Sequence, residues 1–135
     1  MKKYLIIFLF LPLYGKSQIV SLSADTITWT SGSNTNLHTQ ESFSAHTVFK
    51  TFAGSKIEMI IEGESSEFAV TATEGAWDGP PASGTIAYVV DYYGTTGVLQ
   101  IERTENGAIT ITIDLSSASE TGMKQKFFID SYAAQ

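Results

Sequence analysis

Trp77 and Asp78 are the side chains in this sequence best suited to meeting a ligand. They lie in the longest Gly/Pro segment, 75–83, which reads Gly-Ala-Trp-Asp-Gly-Pro-Pro-Ala-Ser. A tryptophan in such a loop can stack on a sugar ring or cover the end of a barrel, whereas a loop that folds back buries the indole. Tyr88 and Tyr92 follow on the apolar face of a strand, where their hydroxyls need partners. These four residues are the candidate ligand-binding set.

Acidic side chains suggest two further chemistries. Glu62, Glu64 and Glu67 cluster at one turn, but the Asp-x-Asp-x-Asp-Gly spacing of known calcium loops is absent. Glu58, Glu62 and Asp114 lie on polar strand faces and could pair as acid and base in a small hydrolase or isomerase. The same pattern is typical of the solvent face of an exported sheet, and we favour that interpretation. The sequence has no Gly-x-Ser-x-Gly elbow, P-loop or dinucleotide fingerprint.

Metal and cofactor chemistry has little support in the sequence. His38 and His46, with Glu41 between them, supply only part of a site that needs three or four converging ligands. The chain has no cysteine, which excludes thiolate sites, disulfides and lipid modification of a cysteine. We expect no metal, no cofactor and no catalysis. The leading hypothesis is a domain that binds a small apolar or amphipathic ligand or acts as a surface interaction module, and the carboxylate enzyme is the alternative.

The elements that must position these residues are β-strands. Alternation of apolar and polar residues predicts eight of them, and the polar stretch 31–40 is expected to be a loop. Short connections between successive strands predict an all-β antiparallel meander that closes into an up-and-down barrel, because closure removes its edges. A two-sheet β-sandwich is the alternative. The expected strands are 25–30, 43–52, 56–62, 67–74, 84–93, the two arms of 97–115, and 124–132.

Three hairpins fix the expected registers. In 97–115, a three-residue loop, Glu105-Asn106-Gly107, keeps the apolar side chains on one face and places Gly107 in the left-handed position of a G1 bulge. Four-residue loops are expected at 63–66 and 94–97. The expected cross-strand pairs are Leu99–Ile113, Ile101–Ile111, Ile61–Phe68, Met59–Val70, Tyr92–Leu99 and Val90–Ile101.

The early Trp29 and the eight-strand meander resemble a small lipocalin-type (calycin-like) barrel. Ile27 stands where that family has the glycine of its Gly-x-Trp opening. The family also packs an arginine from its last strand over the tryptophan, whereas the only arginine here, Arg103, lies in the sixth expected strand. The resemblance therefore concerns the fold, and it implies that the barrel can enclose a cavity. No binding residue carries over.

Residues 1–17 have the pattern of a cleaved signal peptide. Two lysines precede the apolar run 5–13, which is too short for a membrane span, and small residues occupy the −3 and −1 positions of a cleavage site after Ser17. We expect a single domain at 18–135 in a secreted or periplasmic protein.

The charge of that domain restricts its partners. Loss of the three leader lysines leaves five basic residues against 14 acidic ones, a net charge of −9. Such a surface repels nucleic acid and anionic membranes. If the partner is instead a further subunit, the last strand, with Phe127, Phe128 and Ile129, is expected to be an unpaired apolar edge.

Overall fold

The computed structural model describes residues 19–115 and 122–134. The expected signal peptide and its cleavage site lie outside these residues. Eight antiparallel strands form a closed barrel in which each strand pairs with its neighbours in sequence, and the last pairs with the first. The barrel is therefore confirmed over the sandwich. The strands are β1 (Thr26–Asn36), β2 (Ser42–Phe52), β3 (Lys56–Ile61), β4 (Glu64–Glu74), β5 (Gly84–Tyr92), β6 (Thr95–Arg103), β7 (Ile109–Asp114) and β8 (Lys124–Ala134).

The interior of the barrel is filled by the apolar residues of the alternating pattern. Trp29 is completely buried, and its indole Nε1 donates a hydrogen bond to Thr51 Oγ1 at 3.1 Å. Phe49 packs edge-on against Phe127, with ring centroids 4.9 Å apart. In a chain without disulfides, burial of this apolar surface is the main source of stability. Further buried side chains are Ile27, Ile57, Met59, Phe68, Ile86, Tyr88, Val90, Leu99, Ile101, Ile109, Ile111 and Ile113.

The register expected for the 97–115 hairpin is confirmed. Leu99 pairs with Ile113 and Ile101 with Ile111. Gly107 has φ 94° and donates its backbone N–H to Thr104 O, as the G1 bulge requires.

The other two expected registers are wrong by four residues. Phe68 pairs with Ile57 instead of Ile61, and Leu99 pairs with Tyr88 instead of Tyr92. The cause is turn geometry. Two-residue turns, Glu62-Gly63 and Tyr93-Gly94, replace the expected four-residue loops, and both residues of each turn have positive φ. Positive φ at both positions is the geometry of a type I′ turn, which matches the twist of the flanking strands.

The loop expected at 31–40 is also wrong over its first half, because β1 continues to Asn36. Ser31 and Asn34 are buried polar residues in this extension. Ser31 Oγ donates to Ser33 O at 2.8 Å, and Asn34 Oδ1 accepts a hydrogen bond from Gln125 Nε2 at 2.6 Å. Pairing with both β2 and β8 holds this polar segment in the sheet despite its sequence.

Irregular pairing reverses two expected faces. The β4–β5 register shifts at Thr71, and Ala72, which strict alternation places on one face with Phe68 and Val70, is exposed. The β1–β8 register passes over Asp130, and Tyr132, which strict alternation places on the side of Phe128 and opposite Phe127, packs on Trp29 with ring centroids 5.9 Å apart. Bulges of this kind bend strands and assist closure of a barrel.

The last strand is not an edge. Phe127 and Ile129 pair with β7 on one side and with β1 on the other, so the unpaired apolar edge expected there is wrong.

Candidate functional site

The two ends of the barrel differ, and the candidate residues divide between them. We call the end that carries the segment 75–83 and the β6–β7 turn the base. We call the end that carries the Glu62-Gly63 and Tyr93-Gly94 turns the mouth. Successive connections of an antiparallel meander lie at opposite ends, which fixes this assignment.

Trp77 covers one part of the base. Its side chain is only 8% exposed, and Nε1 donates a hydrogen bond to Ala82 O at 2.8 Å. The ring lies directly against Gly84, where a Cβ would collide with it. The loop thus folds back over the core and buries the indole. The sequence allowed this role as the alternative to contact with a ligand.

Asp78 fastens the start of the domain to the same loop. Its backbone O accepts a hydrogen bond from Leu22 N at 2.8 Å, and its carboxylate accepts one from Ser21 Oγ at 3.3 Å. Val20 and Leu22 are buried by this contact. Gly79 makes the approach feasible, since a Cβ there would lie 2.6 Å from Val20 O.

Tyr88 meets both loop residues at a small pocket in the base. Trp77, Asp78 and Tyr88 line a space of about 130 Å³. That volume is below the range typical of ligand pockets. Burial raises the pKa of the Tyr88 phenol above its usual 10.0. Three of the four candidate residues are therefore brought together, in a setting that serves the closure of the base.

Tyr92 lies at the mouth, away from the other three candidates. Its ring packs against Phe68 with centroids 4.9 Å apart, and its hydroxyl lies 3.5 Å from Ser66 Oγ. Tyr93, the next residue, is 84% exposed, as the alternation predicted. Tyr92 thus places an aromatic face and a polar tip at an open end of the barrel.

The mouth contains a cavity of about 480 Å³. At its inner side lie Phe68, 1% exposed, and Met59, 4% exposed, so the cavity reaches the barrel core. Neither residue stands out in the sequence as part of a site, because alternation shows that they face inward but not that they lie at an open end. The lining residues are Met59, Ile61, Glu62, Glu64, Ser66, Phe68, Tyr92, Leu115 and Met123.

Both charged side chains in the described lining of the mouth cavity are acidic. Glu62 and Glu64 flank the β3–β4 turn, and both are exposed members of the lining. The lining contains no lysine, arginine or histidine among the described residues. An apolar cavity with a negative rim favours a ligand whose polar group is neutral or positively charged.

The carboxylates proposed for acid–base chemistry do not converge. Glu58 lies on the outer face of β3 and accepts a hydrogen bond from Ser65 Oγ at 2.6 Å. Asp114 is at the end of β7, four strands away in an eight-stranded barrel. Of the three, only Glu62 lines the mouth, where its acidic neighbour is Glu64.

Glu67, the third acid of the turn cluster, is paired elsewhere. Its carboxylate lies 2.9 Å from Lys56 Nζ on the outside of the barrel. The hydrogen bond and charge of Glu67 raise the pKa of Lys56 above its usual value. Glu67 therefore stands apart from Glu62 and Glu64, and the cluster does not form one cage.

The histidines show no sign of a metal centre. His38 Nε2 lies 3.0 Å from Gly122 O, in a hydrogen bond to the backbone. Within 19–115 and 122–134, no group of three or more acidic or histidine side chains is placed to hold a metal ion. Over the same ranges, no helix has the length and apolar character needed to cross a membrane.

Comparison with known proteins assigns the chain to no family. No family model, no curated protein and no solved structure matches it. The closed eight-stranded antiparallel barrel is compatible with a lipocalin-like fold.

Proposed function

We propose that this protein is an exported, non-catalytic barrel of lipocalin-like type that binds a small apolar or amphipathic ligand in its mouth. The observation that carries the proposal is the cavity of about 480 Å³ that runs from the rim to Phe68 and Met59. Its volume lies within the usual range for small-molecule sites, about 300–1,000 Å³. Its lining is mainly apolar with a few polar groups, which is the usual composition of such sites. Eight-stranded barrels of this size can hold one small ligand.

The lining also indicates how a ligand would be oriented. An apolar body would contact Phe68, Met59 and the ring of Tyr92, and its polar end would face the rim. Glu62 and Glu64 would attract a cationic head group and repel an anionic one. The favoured ligand class is therefore an amphipathic molecule with a neutral or positively charged head.

Three probes with the same twelve-carbon chain test this assignment: dodecyltrimethylammonium, 1-dodecanol and dodecanoate, each below its aggregation concentration. We expect the cation to bind most tightly and dodecanoate most weakly at the mouth, measured by titration calorimetry with NMR mapping of shifted amides. Substituting both rim acids, E62Q with E64Q, is expected to weaken cation binding about fivefold to tenfold, the combined worth of two exposed charges. Dodecanol binding should change less than about twofold, since it has no charge to lose.

A matched pair of substitutions locates the site. Ser66 faces the mouth and Ser65 faces outward beside Glu58. S66W should block the cavity and abolish dodecanol binding, whereas S65W should leave it intact. Equal binding by both variants, or binding of none of the probes by the native protein, would overturn the proposal.

The carboxylate enzyme remains the competing proposal, because Glu62 and Glu64 share the mouth. It requires turnover of a substrate, which E62Q or E64Q would abolish. Recovery of an unaltered co-purifying ligand from the native host, identified by mass spectrometry, would support binding instead.

A further inference from the structure

A second cavity opens at the base, on the far side of the molecule from the mouth. It has a volume of about 580 Å³ and lies between the β6–β7 turn and the end of β8. The β7–β8 ladder stops at the Ile109–Ile129 pair, whereas β8 continues along β1 as far as Ala134. The gap left by the short β7 forms this base cleft. Its lining residues are Arg103, Asn106, Gly107, Ile109, Ile129, Asp130, Ser131 and Tyr132.

One wall of the base cleft is apolar. Ile109 is 7% exposed and continues the inner face of β7. Ile129 is its cross-strand partner, and Tyr132, whose ring packs on Trp29, lines the same cleft. This wall is held by the barrel core, so it is rigid enough to receive the apolar part of a ligand.

Arg103 lies beside this wall, as the cross-strand partner of Ile109 on β6. Its guanidinium lies against the β6–β7 turn, with Nη2 3.4 Å from where a Cβ of Gly107 would be. The guanidinium makes no hydrogen bond and no ion pair with any residue in the described ranges. This is notable in a chain that has 14 acidic residues and one arginine. The planar fork of its N–H donors matches a carboxylate in two-point geometry.

The neighbouring polar groups leave room for such a partner. Asp130 leans over β1, since its Oδ2 lies 2.8 Å from where a Cβ of Gly32 would be. Asn106 Oδ1 accepts a hydrogen bond from Ala108 N at 3.1 Å, which leaves the amide NH₂ group of Asn106 as a donor near the cleft.

We propose that the base cleft is a second binding site, for a small amphipathic carboxylate. The carboxylate pairs with the guanidinium of Arg103, and the apolar body lies on Ile109, Ile129 and Tyr132. The site is independent of the mouth: it lies at the opposite end and prefers the opposite charge.

The probe is 4-phenylbutanoate, and its uncharged amide, 4-phenylbutanamide, is the chemical control. NMR titration of the native protein should shift the amides of Asn106, Ile109 and Ser131, with little change at the mouth. The amide should bind about tenfold more weakly or worse, because it cannot form the charged pair with Arg103.

Four variants separate a built site from a general charge effect. R103Q should weaken binding of the acid about tenfold but not of the amide, and R103K should recover only part of the loss because it lacks the fork. K124Q removes the same charge on β8, in the half of that strand nearer the mouth, and should have little effect. D130N should strengthen binding of the acid by removing a nearby like charge. The mouth-blocking variant S66W should leave the binding of the acid unchanged.

Two outcomes would overturn the proposal. One is equal affinity of the native protein and R103Q for 4-phenylbutanoate. The other is loss of the acid's binding in S66W, which would place the acid in the mouth. Failure of the mouth to bind the twelve-carbon probes would leave the base cleft unaffected, so the two proposals fail separately.

Discussion

Two threonines on the inner face of β2 occupy similar positions with different hydrogen bonding. Thr51 Oγ1 accepts the hydrogen bond from Trp29 Nε1. Thr47 is completely buried, and its Oγ1 has no partner in the described part of the chain. A buried polar atom without a partner costs about 1–3 kcal/mol, because it has given up its hydrogen bonds to water. The two hydroxyls should therefore affect stability in opposite directions.

The substitution T47V should raise the free energy of unfolding by about 1 kcal/mol, since valine has nearly the same shape and no buried hydroxyl to satisfy. The control, T51V, should lower it by about 1–3 kcal/mol, because the Trp29 N–H then loses its acceptor. Urea unfolding with unchanged m-values measures both. A loss of similar size in the two variants would contradict the assignment of an unsatisfied hydroxyl at Thr47.

Alternation predicts which face of the sheet a side chain lies on, but not which end of the barrel it lies near. Alternation placed Tyr88 and Tyr92 inside and Tyr93 outside, and all three placements are observed. Tyr88 and Tyr92 are nevertheless about 13 Å apart along one strand, at a rise of about 3.3 Å per residue. One therefore meets Trp77 under the folded loop at the base, and the other lines the mouth. The fold of the 75–83 loop over Tyr88 depends on its hydrogen bond with Leu22, far away in sequence, and no local pattern encodes that contact.

At the scale of strands and turns, a shift of four residues is invisible to alternation. Such a shift places Ile57 opposite Phe68 where Ile61 was expected, and every side chain stays on its face of the sheet. Turn chemistry decides between such registers. The sequence suggests loops that begin at Gly63 and Gly94, but Glu62 and Tyr93 each adopt positive φ before that glycine. So short a turn requires the residue before the glycine to accept a left-handed conformation as well. The Asn106-Gly107 hairpin was assigned correctly because its Asn-Gly pair marks the turn, and the buried faces then exclude a two-residue loop at that place.

That hairpin supplies the element-scale prediction. At φ 94°, Gly107 adopts a backbone conformation that a β-branched residue enters at a cost of about 1–2 kcal/mol. G107V should lower the free energy of unfolding by about 1 kcal/mol or more. G107N should lose less, since asparagine tolerates this region. Thermal unfolding compares the two, and an unchanged midpoint in G107V would mean that the residue is not held in the left-handed region.

For the molecule as a whole, closure overrides local composition. The segment from Ser31 to Asn36 has no apolar alternation, yet it forms sheet because β2 and β8 pair with it from both sides. A polar strand of this kind is recognisable only once the barrel is known to close. The class of fold was predictable because seven short connections leave few topologies open. The register shifts at Thr71 and Asp130 were not, because they follow from closure and have no sequence signal of their own.

The pH dependence of stability is a property of this closed core. Tyr88 is buried, and its pKa in the folded protein lies above the 10.0 of an exposed phenol. Between those two pKa values the folded state retains the proton that the unfolded state has lost. The contribution of Tyr88 is therefore fully present below pH 10 and is lost as the pH rises through the folded-state pKa. The free energy of unfolding should fall over that interval.

Y88F removes the titrating group and should flatten this alkaline fall, as measured by urea unfolding between pH 9 and pH 11. Y93F is the matched control, because Tyr93 is largely exposed and its substitution should leave the slope as it is in the native protein. Lys56 also has a raised pKa and adds a slope of the same sign, but it is present in all three proteins and cancels in the comparison. Parallel curves for the native protein and Y88F would mean that burial does not raise the folded-state pKa of the Tyr88 phenol. Water would then reach the interior of the barrel from the base.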